Sequence, residues 1–116
     1  MKKENRLLKN QDFKKVLDNH RGVSRENLKI FYKGNDLNHC RVGVSVSSKI
    51  GNSVVRHKIK RQVMNMLDKC LAIDCAIDLV IIVKNDYLKN TYNANYEVLE
   101  KNIKYILKKG ETINEK

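Results

Sequence analysis

Three segments of the chain carry apolar residues at the spacing of an α-helix. The first predicted helix begins near Asn10, which can cap it. Its apolar stripe consists of Phe13, Val16 and Leu17. The longest predicted helix spans residues 52–71, with Asn52 or Ser53 as its cap, and the last ends at Gly110, a residue type that often follows a helix. Each helix therefore has one apolar side with which to cover a sheet.

Three other segments have the apolar patterns of β-strands. In residues 27–33 and in residues 41–46, apolar side chains recur at every second position, and a turn-forming segment lies between the two runs. The side chains that share one face of the first strand are Leu28, Ile30 and Tyr32. We expect these two strands to form a hairpin. Residues 77–83 are nearly all apolar, which predicts a central strand covered on both faces.

The composition indicates one basic globular domain. The chain has 116 residues, and its 24 Lys and Arg against 13 Asp and Glu give a net charge of +11. Such a charge attracts polyanions, of which nucleic acid and anionic membrane are the main classes. No apolar run approaches the ~20 residues of a spanning helix. No apolar segment typical of a signal peptide follows the N-terminus, so we expect a cytoplasmic protein without a membrane partner.

The odd number of cysteines argues against a disulfide framework. Cys40, Cys70 and Cys75 also lack the spacing to histidine that a zinc site requires. We therefore predict no protein-bound metal.

The basic residues concentrate where acids are absent. No Asp or Glu occurs between Leu37 and Leu67, a window that contains most of the longest predicted helix. Its basic residues are Arg41, Lys49, Arg56, Lys58, Lys60 and Arg61, with His39 and His57. We expect the side-chain heads of Arg56 and Arg61 to be exposed. The loop before the helix N-terminus can also offer backbone N–H groups to a phosphate.

Two other interpretations of this helix remain open. A solvated helix face without a partner usually mixes charges of both signs at i, i+4, and this helix does not. A membrane-surface helix needs large apolar side chains free to enter lipid, whereas here the apolar stripe is needed for the core. The pattern favours binding to nucleic acid.

The same window resembles a known signature. Residues 41–61 read RVGVSVSSKIGNSVVRHKIKR and closely resemble the bacterial ribonuclease P protein family, which has Ser-Lys-Lys after a hydrophobic strand, then Gly-Asn-Ala-Val, Arg-Asn-Arg and Ile-Lys-Arg. Asn5-Arg6-Leu7 and Asp12-Phe13 resemble the family's opening. The resemblance covers almost the whole chain and is far more specific than one short motif.

The chain departs from the family pattern at a few positions. His57 and Lys58 replace the Asn and the second Arg of the Arg-Asn-Arg block, and Lys58 keeps the charge without the bidentate geometry of arginine. Ser48 replaces a commonly basic residue, and Leu17 stands where relatives often carry an aromatic. These changes concern single contacts rather than family membership.

The resemblance implies an α/β (α+β sandwich) fold in a single domain over residues 1–116, with element order αβββαβα. It also implies a left-handed βαβ crossover through the basic helix, although general rules favour a right-handed one. We expect residues 1–9 and 111–116 to be flexible.

The implied function is that of the protein subunit of ribonuclease P, a ribonucleoprotein endoribonuclease and hydrolase that removes the 5′ leader from precursor tRNA. The catalytic RNA would perform the chemistry with Mg²⁺ that it largely holds itself, so the resemblance implies no catalytic residue and no organic cofactor in the protein. The expected partners are the ribonuclease P RNA and precursor tRNA, with no obligate protein partner.

The resemblance also assigns two sets of site residues. Those expected to bind the catalytic RNA are Lys49, Asn52, Arg56, His57, Lys58, Lys60 and Arg61. Those expected to form a leader-binding cleft between the first helix and the sheet are Phe13, Leu17 and Tyr32. Core packing is the competing interpretation for all three cleft residues.

Three rivals come from other classes. A ribosomal or other structural RNA-binding protein fits the size and charge equally well, and only the Lys49–Arg61 signature argues against it. A stand-alone nuclease would need clustered carboxylates or a paired histidine, which the dispersed acids do not suggest. A helix-turn-helix DNA reader would need a helix where the valine alternation at residues 42–46 predicts a strand.

Overall fold

The computed structural model describes the backbone of residues 3–72 and 74–114, and side chains within these ranges up to residue 108. The strands are Gly22–Ser24 (β1), Leu28–Gly34 (β2), Arg41–Val46 (β3) and Ile77–Val83 (β4). The α-helices are Asn10–Asp18 (α1), Ser53–Cys70 (α2) and Tyr92–Asn114 (α3), with short 3-10 helices at Lys3–Asn5 and Asn85–Lys89. The α/β class and the order αβββαβα are confirmed.

The four strands form one sheet in the order β1-β2-β4-β3. β4 pairs antiparallel with β2 and parallel with β3, so it has a neighbour on each side. This central position, covered on both faces, was predicted from its nearly continuous apolar sequence. The predicted hairpin of β2 and β3 is wrong, because β4 lies between them. The chain leaves β3 through α2 and returns as the parallel β4, which is the expected βαβ crossover.

The two faces of the sheet are covered by different helices. α2 and α3 pack on one face, where both helices and sheet contribute buried aliphatic side chains. The largest of these include Leu28, Ile30, Met66, Leu67, Leu79, Ile81, Leu99, Ile103 and Ile106. On the other face α1 covers a smaller cluster, in which Leu7, Val16 and Val80 are buried. The remaining apolar side chains of that cluster are half-buried, so this face is less completely closed.

Residues 5–7 are packed against β3, which differs from the expectation that residues 1–9 are flexible; residues 1 and 2 lie outside the described residues. Asn5 is fully buried, and its Nδ2 donates to the Cys40 carbonyl at 2.9 Å. The Leu7 N–H donates to the Val42 carbonyl at 2.9 Å, and Arg6 forms a parallel bridge with Val42. These bonds lay the segment along the free edge of β3.

Two helix boundaries and one short strand also differ from prediction. Asn10 is the first residue of α1 rather than its cap, and Lys9 occupies the cap position without a side-chain bond. The backbone of α3 continues through Gly110 to Asn114. The pattern did not locate β1, because its three residues include one apolar side chain, Val23, and are too short to alternate.

Candidate nucleic-acid interface

The loop before α2 is fixed by short local hydrogen bonds. The Ile50 N–H donates to the Ser47 carbonyl at 3.0 Å, and the Lys49 N–H donates to Ser47 Oγ at 3.2 Å. The Asn52 side chain then caps the helix by accepting from the Val55 N–H at 3.0 Å. The loop therefore holds Lys49 at the N-terminus of α2, where the positive end of the helix dipole adds to its charge.

Most of the residues predicted to bind RNA are accessible. Lys49, Asn52, His57, Lys58, Lys60 and Arg61 are all exposed. The exception is Arg56, which is half-buried and whose Nε is buried with no hydrogen-bond partner among the described residues. At ~100° per residue, Arg56 lies about 20° from the fully buried Val63 on the helical wheel. The prediction of an exposed head is therefore confirmed for Arg61 and wrong for Arg56.

α2 stands as a ridge between two grooves. One groove has a volume of about 610 Å³ and runs between the N-terminal segment, β3 and α2; we call it the edge groove. Its lining residues are Arg6, Leu7, Leu8, Phe13, Val42, Gly43, Val44, His57, Lys60, Arg61, Met64, Asn65 and Asp68. It therefore places three cations beside an aromatic ring: two from α2 and Arg6 from the N-terminal segment.

The other groove has a volume of about 1040 Å³ and lies on the opposite side of α2, towards the start of α3; we call it the Tyr92 groove. Its lining residues are Ser53, Val54, His57, Lys58, Arg61, Gln62, Asn65, Lys69 and Tyr92. His57, Arg61 and Asn65 line both grooves. One helix thus presents cationic side chains in two directions.

The Phe13 ring sits directly on the backbone of β3. A Cβ added at Gly43 would lie 2.2 Å from Phe13 Cζ, a distance that no packed structure tolerates. Gly43 is therefore the residue that allows the ring to approach the strand. A glycine between Val42 and Val44 in an otherwise apolar strand is the sequence signal for this contact.

The structure does not bring Tyr32 to Phe13. Successive side chains of a strand point to opposite faces, and Tyr32 shares the α2–α3 face with Leu28 and Ile30, where it is 9% exposed. The neighbouring Phe31 points to the α1 face and packs in the same cluster as Phe13 and Leu17. The placement of Tyr32 in a cleft beside α1 is therefore wrong. Phe31, one residue earlier, is the ring of β2 that lies on the α1 face.

The α1 side of the sheet therefore carries its own group of half-buried apolar side chains. Phe13, Leu17, Phe31 and Ile82 form what we call the aromatic face. Lys29 Nζ lies 4.9 Å from the centroid of the Phe31 ring, which places a cation beside it. Two rings with a neighbouring cation are a surface suited to unpaired bases.

One basic residue of the acid-free window is used for structure. The guanidinium of Arg41 donates two bonds to Asp78, from Nε at 3.0 Å and from Nη2 at 2.6 Å, and a third to Asp12 of α1 at 3.5 Å. These bonds to Asp78 raise the pKa of Arg41 above its ordinary value. Arg41 thus ties β3, β4 and α1 together, and its charge is neutralised within the protein.

The described residues contain no group of three or more His, Cys, Asp or Glu side chains placed to hold a metal ion. Within the same part of the chain, no helix is both long and apolar enough to cross a membrane. The polar side chains that line the two grooves are mainly cations and amides, with the carboxylate of Asp68 in the edge groove.

A family model described as ribonuclease P matches residues 1–111. The chain belongs to the ribonuclease P protein family. It is 35% identical over 108 residues to the ribonuclease P protein component of Streptococcus agalactiae, covering 93% of this chain and 95% of that protein. It is 33% identical over 110 residues to the component of Mesoplasma florum, covering 93% and 100%.

The fold agrees with this membership. A solved structure of the RNase P protein of Staphylococcus aureus matches with a TM-score of 0.80 at 28% identity, covering 88% of this chain and 94% of the other. The relatives are covered almost end to end, so the match involves the whole domain.

Several residues at these surfaces were not singled out in the sequence for a role. Arg6 lies in the N-terminal motif that resembles the family's opening, and this was a signal for its place in the edge groove. Phe31 precedes Tyr32 in β2, and strand alternation predicts that its side chain lies on the face opposite to Tyr32. Lys69 and Tyr92 lie 23 residues apart, and only the packing of α3 on α2 brings them together.

Proposed function

We propose that this chain binds the ribonuclease P RNA through α2 and the loop before it, and assists the removal of the 5′ leader from precursor tRNA. The observation that carries the proposal is the cationic ridge of α2, exposed along two grooves and free of acids from its first residue to Leu67. A phosphate backbone is the polyanion that such a ridge fits, because contacts to it need charge and reach rather than a closed pocket.

The hydrolysis itself is assigned to the RNA. The protein's described residues offer no cluster of three or more potential metal ligands. We therefore propose that Mg²⁺ is held mainly by the RNA, and we assign no catalytic residue to the protein. Its cations would stabilise the folded RNA by neutralising phosphates that repel one another.

The aromatic face is the proposed site of the leader. Phe13 and Phe31 are half-buried rather than closed off, and rings of this kind stack on unpaired bases with little dependence on sequence. Phe13 also lines the edge groove, so a strand that crosses the aromatic face can continue towards Lys60 and Arg61. Leu17 adds apolar contact but cannot stack as an aromatic would.

Reconstitution tests the whole proposal. The protein is mixed with a bacterial ribonuclease P RNA, and cleavage of precursor tRNA is followed as Mg²⁺ is lowered. We expect the protein to lower the Mg²⁺ concentration that the RNA needs, and the protein without RNA to cleave nothing. Cleavage by the RNA-free protein would mean that the chemistry has been assigned to the wrong partner.

Arg61→Ala tests which surface faces the RNA. Arg61 is exposed, so its loss should leave the melting temperature nearly unchanged while the slope of log affinity against log salt becomes shallower by roughly 0.7–0.9 per lost phosphate contact. Arg56→Ala is the comparison, and because Arg56 is half-buried we expect it to lower stability as well. An unchanged slope in both variants would show that α2 does not face the RNA.

A further inference from the structure

The Tyr92 groove extends well beyond the residues of the family signature. It begins at Ser53, at the N-terminus of α2, and reaches Lys69, the penultimate residue of the helix. At 1.5 Å per residue these positions are roughly 24 Å apart, a distance that spans several nucleotides of an RNA strand. The signature ends at Arg61, so the distal part of the groove has no role in the proposed function above.

The lining of this groove is cationic throughout its length. Lys58, Arg61 and Lys69 contribute formal positive charges, His57 adds a polar ring, and none of the described lining residues is acidic. The edge groove differs in this respect, because Asp68 is part of its lining. The Tyr92 groove is therefore the more complete match to a polyanion.

The distal end holds a lysine in a fixed position. Lys69 Nζ donates to Tyr92 Oη at 3.4 Å and lies 5.3 Å from the Tyr92 ring centroid and 5.7 Å from that of Tyr96. Tyr92 Oη in turn donates to Asn65 Oδ1 at 3.2 Å. All of these partners are neutral, and among the described residues no carboxylate pairs with Lys69. The contacts with Tyr92 and Tyr96 reduce the freedom of the ammonium group without an ion pair, which lowers the entropy lost on binding an anion.

We infer that the Tyr92 groove is a second RNA-binding track, and that Lys69, positioned by Tyr92, contacts a phosphate at its distal end. The inference rests on the proposed function and extends it: on the α3 side of α2 the RNA would continue past Arg61 as far as Lys69. Tyr92 acts as a positioning residue for the lysine, and its half-buried ring offers a base a partner for stacking.

The alternative is that Lys69 only ties α2 to α3. A cation over two rings stabilises the folded protein whether or not RNA is present. The two roles differ in what RNA does to the lysine, and they can be separated in the wild-type holoenzyme.

Lysine acetylation followed by mass spectrometry measures this directly. We expect the ribonuclease P RNA to lower the reactivity of Lys69 several-fold, while Lys101, an exposed lysine of α3 outside both grooves, reacts equally with and without RNA. If Lys69 reacts at the same rate in the free protein and in the holoenzyme, the inference is wrong.

Substitution gives a second, independent measurement. Lys69→Gln should weaken holoenzyme assembly and make its salt dependence shallower, so that its affinity deficit relative to wild type shrinks about threefold between ~50 and ~200 mM salt. Lys101→Gln removes the same charge elsewhere and should retain the wild-type slope. Tyr92→Phe keeps the ring but removes the hydroxyl contact, and we expect a smaller loss of affinity with an unchanged slope.

Lys60→Gln separates this inference from the proposed function, because Lys60 lines the edge groove and not the Tyr92 groove. If Lys60→Gln makes the salt dependence shallower while Lys69→Gln behaves like Lys101→Gln, the second track is refuted and the proposed function stands. If neither Lys60→Gln nor Lys69→Gln differs from Lys101→Gln, both are refuted.

Discussion

The two faces of the four-stranded sheet differ in how completely helices cover them. On the α2–α3 face the strands meet two long helices, and side chains such as Ile81 and Leu99 are completely buried. On the α1 face they meet a helix of 9 residues, and Phe13, Phe31 and Ile82 remain half-buried. The faces are only one residue apart along each strand, since alternate side chains point to opposite sides.

The difference indicates a division of labour within a small domain. A closed face removes apolar area from water and supplies most of the stabilising free energy. An open face leaves rings accessible, which costs stability but allows contact with a partner. Substitutions on the closed face should therefore affect unfolding, and those on the open face should affect binding.

Neighbouring residues of β4 provide the largest expected effect. Ile81 is fully buried on the α2–α3 face and Val80 is 1% exposed on the α1 face. Ile81→Ala should lower the free energy of unfolding by about 2–5 kcal/mol through lost burial and an unfilled cavity. Val80→Ala should lower it by only about 1.5 kcal/mol, because it removes two methyl groups from a cluster that can relax.

Chemical denaturation of the two variants measures this difference. A Val80→Ala loss as large as that of Ile81→Ala would show that the α1 face is as tightly packed as the other, which would break the comparison.

Alkaline pH provides a second, smaller test of the closed face. Burial raises the pKa of Tyr87 from 10.0 to about 12, and its hydroxyl donates to Gln62 Oε1 at 3.0 Å. The folded state thus favours the neutral phenol. The preference for the neutral phenol of Tyr87 stabilises the folded state fully below pH 10. This stabilisation is lost as the pH rises towards 12, because the unfolded chain ionises first. A pKa difference of about two units corresponds to roughly 2–3 kcal/mol of folding free energy.

Tyr87→Phe removes this dependence. We expect the variant to be less stable than wild type at neutral pH by about 0.5–1.5 kcal/mol, from the lost hydrogen bond, and the deficit to shrink or reverse above pH ~10. A deficit that stays constant with pH would show that Tyr87 ionises as readily in the folded protein as in the unfolded chain.

Features of the fold that depend on residues close in sequence were predicted, and features that depend on distant residues were not. The bounds of β4 follow from its nearly continuous apolar run, and the apolar side of α2 follows from helical periodicity; both are confirmed. The insertion of β4 between β2 and β3 depends on pairing between distant segments, such as Leu28 with Val83 and Arg41 with Asp78, which local pattern does not encode. The proximity of Lys69 to Tyr92 has the same origin, since it arises from the packing of two helices.

The error at Tyr32 is of a different kind. Strand alternation places Tyr32 on the same face as Leu28 and Ile30, which predicts a core position. The family resemblance predicts a position in the leader cleft instead, and the structure places Tyr32 in the core. A contact inferred from a family has to be consistent with strand alternation before it is assigned to a face.

The smallest expected effect on unfolding is at Phe31, and it sharpens the comparison most. Phe31→Leu replaces a half-buried ring with an apolar side chain, which should change the free energy of unfolding by less than about 1.5 kcal/mol. Stacking on a base is worth ~1–3 kcal/mol per base, and leucine cannot supply it. The variant should therefore fold normally and lose leader binding.

The measurement is the affinity of the reconstituted holoenzyme for precursor tRNA with leaders of increasing length. Wild type should bind more tightly as the leader lengthens over its first several nucleotides, and Phe31→Leu should lose most of that gain while its affinity for mature tRNA stays the same. Tyr32→Phe is the matched control one residue away on the closed face, and it should keep the full gain. If Phe31→Leu keeps the gain as well, the leader does not use the aromatic face, and the half-buried rings there serve only to hold α1 on the sheet.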